Sequence, residues 1–131
     1  MTTTVDLINA IGTHLTEFEL PAIASVQVGA ALSAPQVTVQ VACHEPSTTA
    51  QGLLAWADTL TQVTAQAWRV PWVDSVHLSA TGLLPGYVAV LVYGGLWVTH
   101  RGLGADLAPD ATTTIPFPML RHAAIVEEVQ A

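Results

Sequence analysis

The chain has 131 residues, the size of one ordinary domain, and 51% of them are hydrophobic while only 10% are charged. Its ten acidic residues, three arginines and lack of lysine give a formal net charge of −7, which disfavours binding to the phosphate backbone of nucleic acids. The apolar runs are too short to span a membrane, no signal-type segment opens the chain, and the single Cys43 cannot form an internal disulfide, so we expect a compact cytoplasmic protein.

The first predicted element is a helix that begins at Thr3 or Thr4 and stops before Pro21. Either threonine can cap the helix, and Asp6 then lies in the first turn, where the helix dipole stabilises a negative charge. Apolar side chains at helical spacing form one face of this helix: Leu7, Ile8, Ile11, Leu15 and Phe18.

Two strands with alternating apolar and polar residues follow, over 23–29 and 36–42. The valines of each strand share one face, and polar side chains such as Gln27, Thr38 and Gln40 share the other. The short loop between them, with Pro35, predicts a hairpin. A period of two with one polar face indicates an antiparallel sheet that is covered on one side only.

A second helix is predicted to open in the stretch HEPSTTAQ and to run to about Val63. Thr48 and Gln51 have the spacing of a capping box, in which each side chain bonds the backbone of the other residue. Trp56 lies at the edge of the apolar stripe of this helix, so we expect its ring in the core.

Three more strands are predicted over 64–70, 74–83 and 87–95. The last is apolar on both faces, so we expect it to lie centrally in the sheet or to be covered by another element. Residues 105–131 are expected to be a turn-rich connector and a C-terminal tail, with a short docked helix as the alternative. The fold class is therefore α+β: a single domain over residues 1–104, with an antiparallel sheet of about five strands and two main helices on one face, in the order α-β-β-α-β-β-β with a weak C-terminal helix.

Groups of metal-binding or catalytic residue types occur, but their spacing argues against chemistry. Cys43, His44 and Glu45 are adjacent, whereas zinc ligands are spaced along the chain, and neighbouring strand residues point to opposite faces. Ser75 and His77 share a strand face, yet about 6.6 Å of strand separates them, too far for a nucleophile and its base. We therefore predict no catalytic residue, no metal site and no cofactor.

The glycine-rich stretch from Tyr93 to Gly104 lacks the residues of a phosphate-binding loop. Glycines that follow a buried strand are more typical of bulges and turns. His100 and Arg101 remain a weaker candidate for binding a single anion.

One sheet face is predicted to be polar and almost free of charge, although exposed faces usually carry lysine and glutamate. Such a face suits hydrogen-bonded, moderately apolar contact with another protein or a second copy. An exposed tryptophan on the turn after Pro71 is the kind of anchor that interfaces use. The candidate interface residues are Gln27, Thr38, Gln40, Trp72, His77, Ser79 and Tyr93.

The alternative is a small-molecule site, with or without catalysis, between the sheet and the helices. Trp68 alternates with Arg69 and is expected to pack inward under the second helix. The candidate lining residues of this pocket, apolar walls with a few polar groups, are Cys43, Trp56, Trp68 and His77.

The stretches LLAWADTL, AWRVP, DSVHLSATG and LGADLAPDATTTIP resemble small uncharacterised proteins of Streptomyces-type actinobacteria. This resemblance implies an origin and a cytoplasmic setting, and it brings no activity or ligand. The layout is also similar to that of small acidic secretion chaperones, which are commonly dimers that bind client segments, although here only two strands separate the first two helices. We predict a non-enzymatic protein-binding module that acts as an adaptor, chaperone-like factor or regulator and forms a homodimer.

Overall fold

The computed structural model describes residues 3–29, 36–43, 45–97, 104 and 106–130, with side chains described up to residue 125. The helices and strands follow one another in the order α1 (Thr4–Glu17), β1 (Ile23–Val28), β2 (Val37–Val41), α2 (Pro46–Ala57), β3 (Thr61–Arg69), β4 (Ser75–Leu84), β5 (Val88–Trp97), β6 (Thr112–Ile115) and α3 (Phe117–Gln130). The chain is α+β, as predicted.

The strands form one six-stranded sheet in the order β1-β2-β5-β4-β3-β6. All neighbours are antiparallel except β2 and β5, which pair in parallel from Val37–Val90 to Gln40–Tyr93. The prediction of a purely antiparallel sheet of about five strands is therefore corrected to a mixed sheet of six. The central position expected for β5 is confirmed, because it lies between β2 and β4.

One face of the sheet is covered by the helices, and the core lies between the two layers. α2 contacts β4 and β5, α1 contacts β1 and β4, and α3 packs on α2. Alternate residues of the strands supply the sheet side of this core, including Val39, Val92 and Leu78, which are almost fully buried. Trp56 of α2 is 0% exposed, so the expectation that its ring belongs to the core is confirmed.

The N-terminal cap predicted from the sequence is found for α1 but not for α2. Thr3 caps α1 as predicted: its hydroxyl accepts from the Asp6 amide at 3.1 Å, and the Asp6 carboxylate accepts from the Thr3 amide at 2.9 Å. The capping box predicted for α2 at Thr48 and Gln51 is wrong. That helix begins earlier, with Glu45 as N-cap and proline in its first turn, a position where the missing N–H costs nothing.

α2 ends at Ala57, six residues before the predicted end, and β3 begins at Thr61. The side chain of Thr59 closes the helix by donating to the Trp56 carbonyl at 2.8 Å. Gln62 has a positive φ of 53°, and the pairing of β3 with β4 shifts between Thr61 and Thr64. This irregularity sets which residues of β3 face the helices.

The segment expected to be a connector and a tail contains both β6 and α3. β6 pairs with β3 from Ala65–Ile115 to Trp68–Thr112 and extends the sheet at that edge. On α3, Leu120 is 0% exposed, and the Gln51 side chain donates to the Ala124 carbonyl at 2.8 Å. Residues 112–125 therefore share the sheet and core of the preceding chain, and α3 corresponds to the docked helix named as the alternative.

Candidate functional site

The sheet face opposite the helices is uncovered in the part of the chain that the structure describes, and we call it the open face. Paired residues form rows across the strands, since a side chain and its cross-strand partner point to the same side. One row runs from Gln27 through Thr38 and Leu91 to Thr81. The open face consists of Ser25, Gln27, Thr38, Gln40, Thr64, Gln66, Trp68, Ser75, His77, Ser79, Thr81, Leu83, Ala89, Leu91, Tyr93, Gly95, Trp97, Thr112 and Thr114.

The strand residues of the predicted interface lie together on the open face. Gln27 pairs with Thr38, Gln40 pairs with Tyr93, and Tyr93 pairs with Ser79. His77 lies one row further along β4 and stacks on Tyr93. Trp72 lies in the loop between β3 and β4, where it is 73% exposed.

Four aromatic rings make a continuous row at this end of the open face. The ring of Tyr93 stacks on His77 with centroids 5.1 Å apart, and His77 meets Trp68 edge to face at 5.4 Å. Trp68 meets Trp72 edge to face at 5.7 Å, distances at which aromatic pairs attract. The Trp68 indole N–H donates to the Asp110 carboxylate at 2.9 Å, which fixes the ring in the row.

Trp68 corrects the prediction that this ring packs inward under the second helix. In β3 the small Ala65 and Ala67 fill the inward positions, and Trp68 pairs with His77 on the other side. The signal was present in the sequence, because Trp68 alternates in phase with the polar Thr64 and Gln66. Strand alternation therefore identifies Trp68 as a residue of the open face, and the choice of Trp68 over Arg69 as the inward residue was wrong.

Because Trp68 lies on the open face, the next residue of β3, Arg69, points to the helix side of the sheet. Its guanidinium is held at the edge of the sheet, where it donates to the Asp74 carboxylate at 3.3 Å and to the Leu107 carbonyl at 3.4 Å. Asp74 is therefore paired with this arginine across the turn. It does not orient His77, so no catalytic Asp-His pair forms here.

The open face carries no Asp, Glu, Lys or Arg side chain within the described strands. Its single titratable imidazole, His77, is enclosed between the rings of Tyr93 and Trp68. Burial lowers the pKa of His77 below its ordinary value, because removing the ring from water penalises the charged form. At neutral pH the strands of the open face therefore present hydrogen-bonding and aromatic groups without charge, and the Asp110 carboxylate that accepts from Trp68 lies beside the aromatic row.

The four residues of the alternative pocket do not come together. Trp56 lies in the core on the helix side, stacked on His14 with centroids 5.6 Å apart, whereas Trp68 and His77 lie on the opposite face of the sheet. Cys43 is half-buried beside α2, and burial raises the pKa of its thiol, which makes it a poor nucleophile. A pocket between the sheet and the helices lined by this set is therefore excluded.

The described residues contain surface clefts and no metal site. A depression of about 380 Å³ lies on the open face near the β3 irregularity, lined by residues that include Gln62, Thr81 and Leu91. No group of three His, Cys, Asp or Glu side chains in the described ranges is placed to hold a metal ion. His44, His100 and Arg101, named above for a metal or an anion, lie outside the described residues.

Comparison of the chain with protein-family models, with curated proteins and with solved structures found no match. None of the helices described by the structure has the length and apolar character needed to cross a membrane.

Proposed function

We propose that this chain is an acidic, non-enzymatic, cytoplasmic protein-binding module that associates through the open face, first of all with a second copy of itself. Its role would be that of an adaptor, a chaperone-like factor or a regulator. The observation that carries the proposal is the continuous row of aromatic rings on a sheet face whose described strands carry no charged side chain.

Net charge favours this face over the rest of the surface. Two copies that each carry a charge of −7 repel one another, and contact through acidic surfaces would bring like charges together. The open face avoids this cost, while its glutamine, threonine and serine side chains offer both donors and acceptors to an identical surface. A two-fold contact between copies requires such self-complementarity.

The size and composition of the face also suit a specific interface. Six strands about 4.8 Å apart and up to ten residues long give a footprint on the order of 700 Å², near the roughly 800 Å² per partner of a standard interface. Trp72, the last ring of the aromatic row, and Trp97, on the same face, are 73% and 60% exposed and provide anchors of the kind that dominate binding energy.

Gly95 offers a direct test, because it lies on the open face beside His77 and has room for a side chain. A Cβ built there would be 3.6 Å from the nearest His77 atom, an ordinary contact. We expect Gly95→Glu to raise the dissociation constant of association through the open face at least about tenfold, since it buries an unpaired carboxylate in that interface. Sedimentation equilibrium or light scattering at high micromolar concentration measures this change.

Gly12→Glu is the matched control, since it alters net charge equally at an exposed position on α1 where nothing lies within 4 Å of the added Cβ. Trp72→Ala should also weaken association while the fold is retained, because its ring is largely exposed. A monomeric wild type, or equal association by both glutamate variants, would contradict the proposal. Unfolding of the Trp72→Ala protein would show that this ring serves the fold instead of the contact.

A further inference from the structure

The outer edge of β1 is an unpaired strand edge. β1 is the last strand on its side of the sheet, and β2 is its only strand neighbour in the described chain. The Gly29 amide donates to the Gln36 carbonyl at 2.9 Å, so this pair is of the hydrogen-bonded kind. Because antiparallel pairs alternate, Gln27 also bonds toward β2, and the N–H and C=O groups of Val26 and Val28 point away from the sheet.

This edge lacks the features that usually protect a sheet against pairing with another strand. Such edges carry lysine, inward-pointing charges or proline, or are covered by other elements. β1 has the sequence IASVQV, with no charge and no proline, and its pairing irregularity is confined to the start, between Ile23 and Ser25. Among the described residues, the regularly paired part of β1 therefore directs the backbone N–H and C=O groups of Val26 and Val28 outward, where no described strand bonds them.

The hydrophobic core is also open at this edge. Val37 and Val39 of β2 are 0% exposed, whereas Val26 and Val28, their partners in β1, are only half-buried although they face the same side. A further strand beside β1 would cover these valines in the way that β1 covers those of β2. The edge thus has both unpaired hydrogen-bonding groups and incompletely buried apolar side chains.

We infer that β1 pairs antiparallel with β1 of a second copy, about a two-fold axis at Val26, and so joins two six-stranded sheets into one. Antiparallel pairing of identical strands is self-complementary and closes after two copies. It places Val26 opposite its own counterpart and Ser25 opposite Gln27 of the second copy. β1 contains no charged side chain, so this pairing brings no like charges together along the strand, although each chain has a net charge of −7. This contact uses a different surface from the open face and does not depend on the function proposed above.

Single cysteines test the register, with Cys43 replaced by alanine in both variants. Val26→Cys lies on the axis, where facing Cα atoms of a bonded pair are about 5.5 Å apart and within disulfide reach. Val28→Cys is the matched control on the same face, since its two Cα atoms would lie about 14 Å apart, beyond disulfide reach. We expect the oxidised covalent dimer to form about tenfold more with Val26→Cys than with Val28→Cys, as measured on non-reducing gels. Equal cross-linking, or none, would overturn the inference.

A proline tests the backbone contact. The N–H of Val26 points outward, so Val26→Pro removes no bond to β2 and should retain the far-ultraviolet circular dichroism of the parent. In the Gly95→Glu background, whose open face is blocked, the inference predicts a dimeric mass that Val26→Pro reduces to a monomer. A monomeric background protein, or a dimer unchanged by the proline, would refute edge pairing, while the open-face proposal is judged by Gly95→Glu alone. If the proline variant does not fold, the cysteine pair decides.

Discussion

Two histidines of this protein are held against tryptophan rings, one on each side of the sheet. The His14 ring packs between Phe18 and Trp56, with centroids at 4.7 and 5.6 Å, and its Nε2 atom lies 2.7 Å from the Thr59 hydroxyl. Burial lowers the pKa of His14, and the nearby Glu17 opposes this shift to a lesser degree. His77 is held in the same neutral form on the open face, again by burial.

These two pKa values predict a loss of stability in acid. The ordinary histidine pKa is 6.5, and the folded values lie below it, so in that window the unfolded chain binds more protons than the folded chain. The contribution of the two neutral histidines to the free energy of unfolding is fully present above pH 6.5, and it is lost as the pH falls through their lowered pKa values. Thermal or urea unfolding across this range measures the effect.

His14→Gln and His77→Gln together should flatten that part of the stability profile, because glutamine does not titrate. An unchanged slope in the double variant would assign the acid sensitivity to other groups.

At the scale of residues, the sequence named His77 and Trp72 as contact residues but did not identify His14. Its burial depends on Trp56 and Thr59, which are more than forty positions away in the chain.

At the scale of elements, two adjacent glycines of β5 lie on opposite faces of the sheet, Gly94 toward α2 and Gly95 on the open face. A Cβ added to Gly94 would lie 2.7 Å from the Thr49 Cγ2 atom of α2 and 3.0 Å from a Val41 methyl carbon, whereas one added to Gly95 meets nothing closer than 3.6 Å. Gly94 thus lets α2 approach the sheet. Alternation alone distinguishes the faces, but only the position of α2 shows which glycine is required.

Gly94→Ala is therefore expected to lower the free energy of unfolding by about 1–3 kcal/mol, because the new methyl group overpacks the contact with α2. Gly95→Ala, its neighbour on the open face, should be neutral or slightly stabilising, since it restricts the unfolded chain and fits the strand. Urea unfolding of both variants measures the difference. Equal stabilities would mean that α2 can shift to accommodate the methyl group.

The elements themselves were predicted with uneven success for a physical reason. α1 was predicted correctly at its start because the cap formed by Thr3 and Asp6 is local. The end of α2 and the start of β3 were misplaced, since the residues there have no strong local signal and the pairing of β3 with β4 sets the boundary. β6 was missed because its sequence, TTTI, is short and becomes a strand only by pairing with β3.

At the scale of the whole molecule, the C-terminal helix is part of the core. Leu120 is fully buried, and α3 packs along α2, where the Gln51 side chain bonds the Ala124 carbonyl. The sequence showed only a weak apolar stripe in this helix, because Leu120 is its one fully buried side chain among the described residues, while Phe117, Ala123 and Ala124 are buried only in part. The periodicity of apolar residues reports on the whole face of a helix, and it does not detect the burial of one side chain such as Leu120.

Leu120→Ala should therefore lower the free energy of unfolding by about 2–5 kcal/mol, as large-to-small substitutions in a core do. Met119→Ala, the adjacent residue at 51% exposure, should change it by no more than about 0.5 kcal/mol. Chemical denaturation of both variants gives the comparison. A mild effect at Leu120 would show that α3 separates from α2 at little cost to the rest of the fold.

The sequence by itself determined the α+β class, the cap of the first helix, the alternation of the strands and the absence of charge from one sheet face. These follow from periodicity and composition, which act between near neighbours in the chain. Only the tertiary structure decided that β5 pairs in parallel with β2, that β6 extends the other edge, and that Trp68 lies between His77 and Trp72. The reason is physical: strand order and register are set by contacts between segments far apart in sequence, and local patterns do not encode which strands meet.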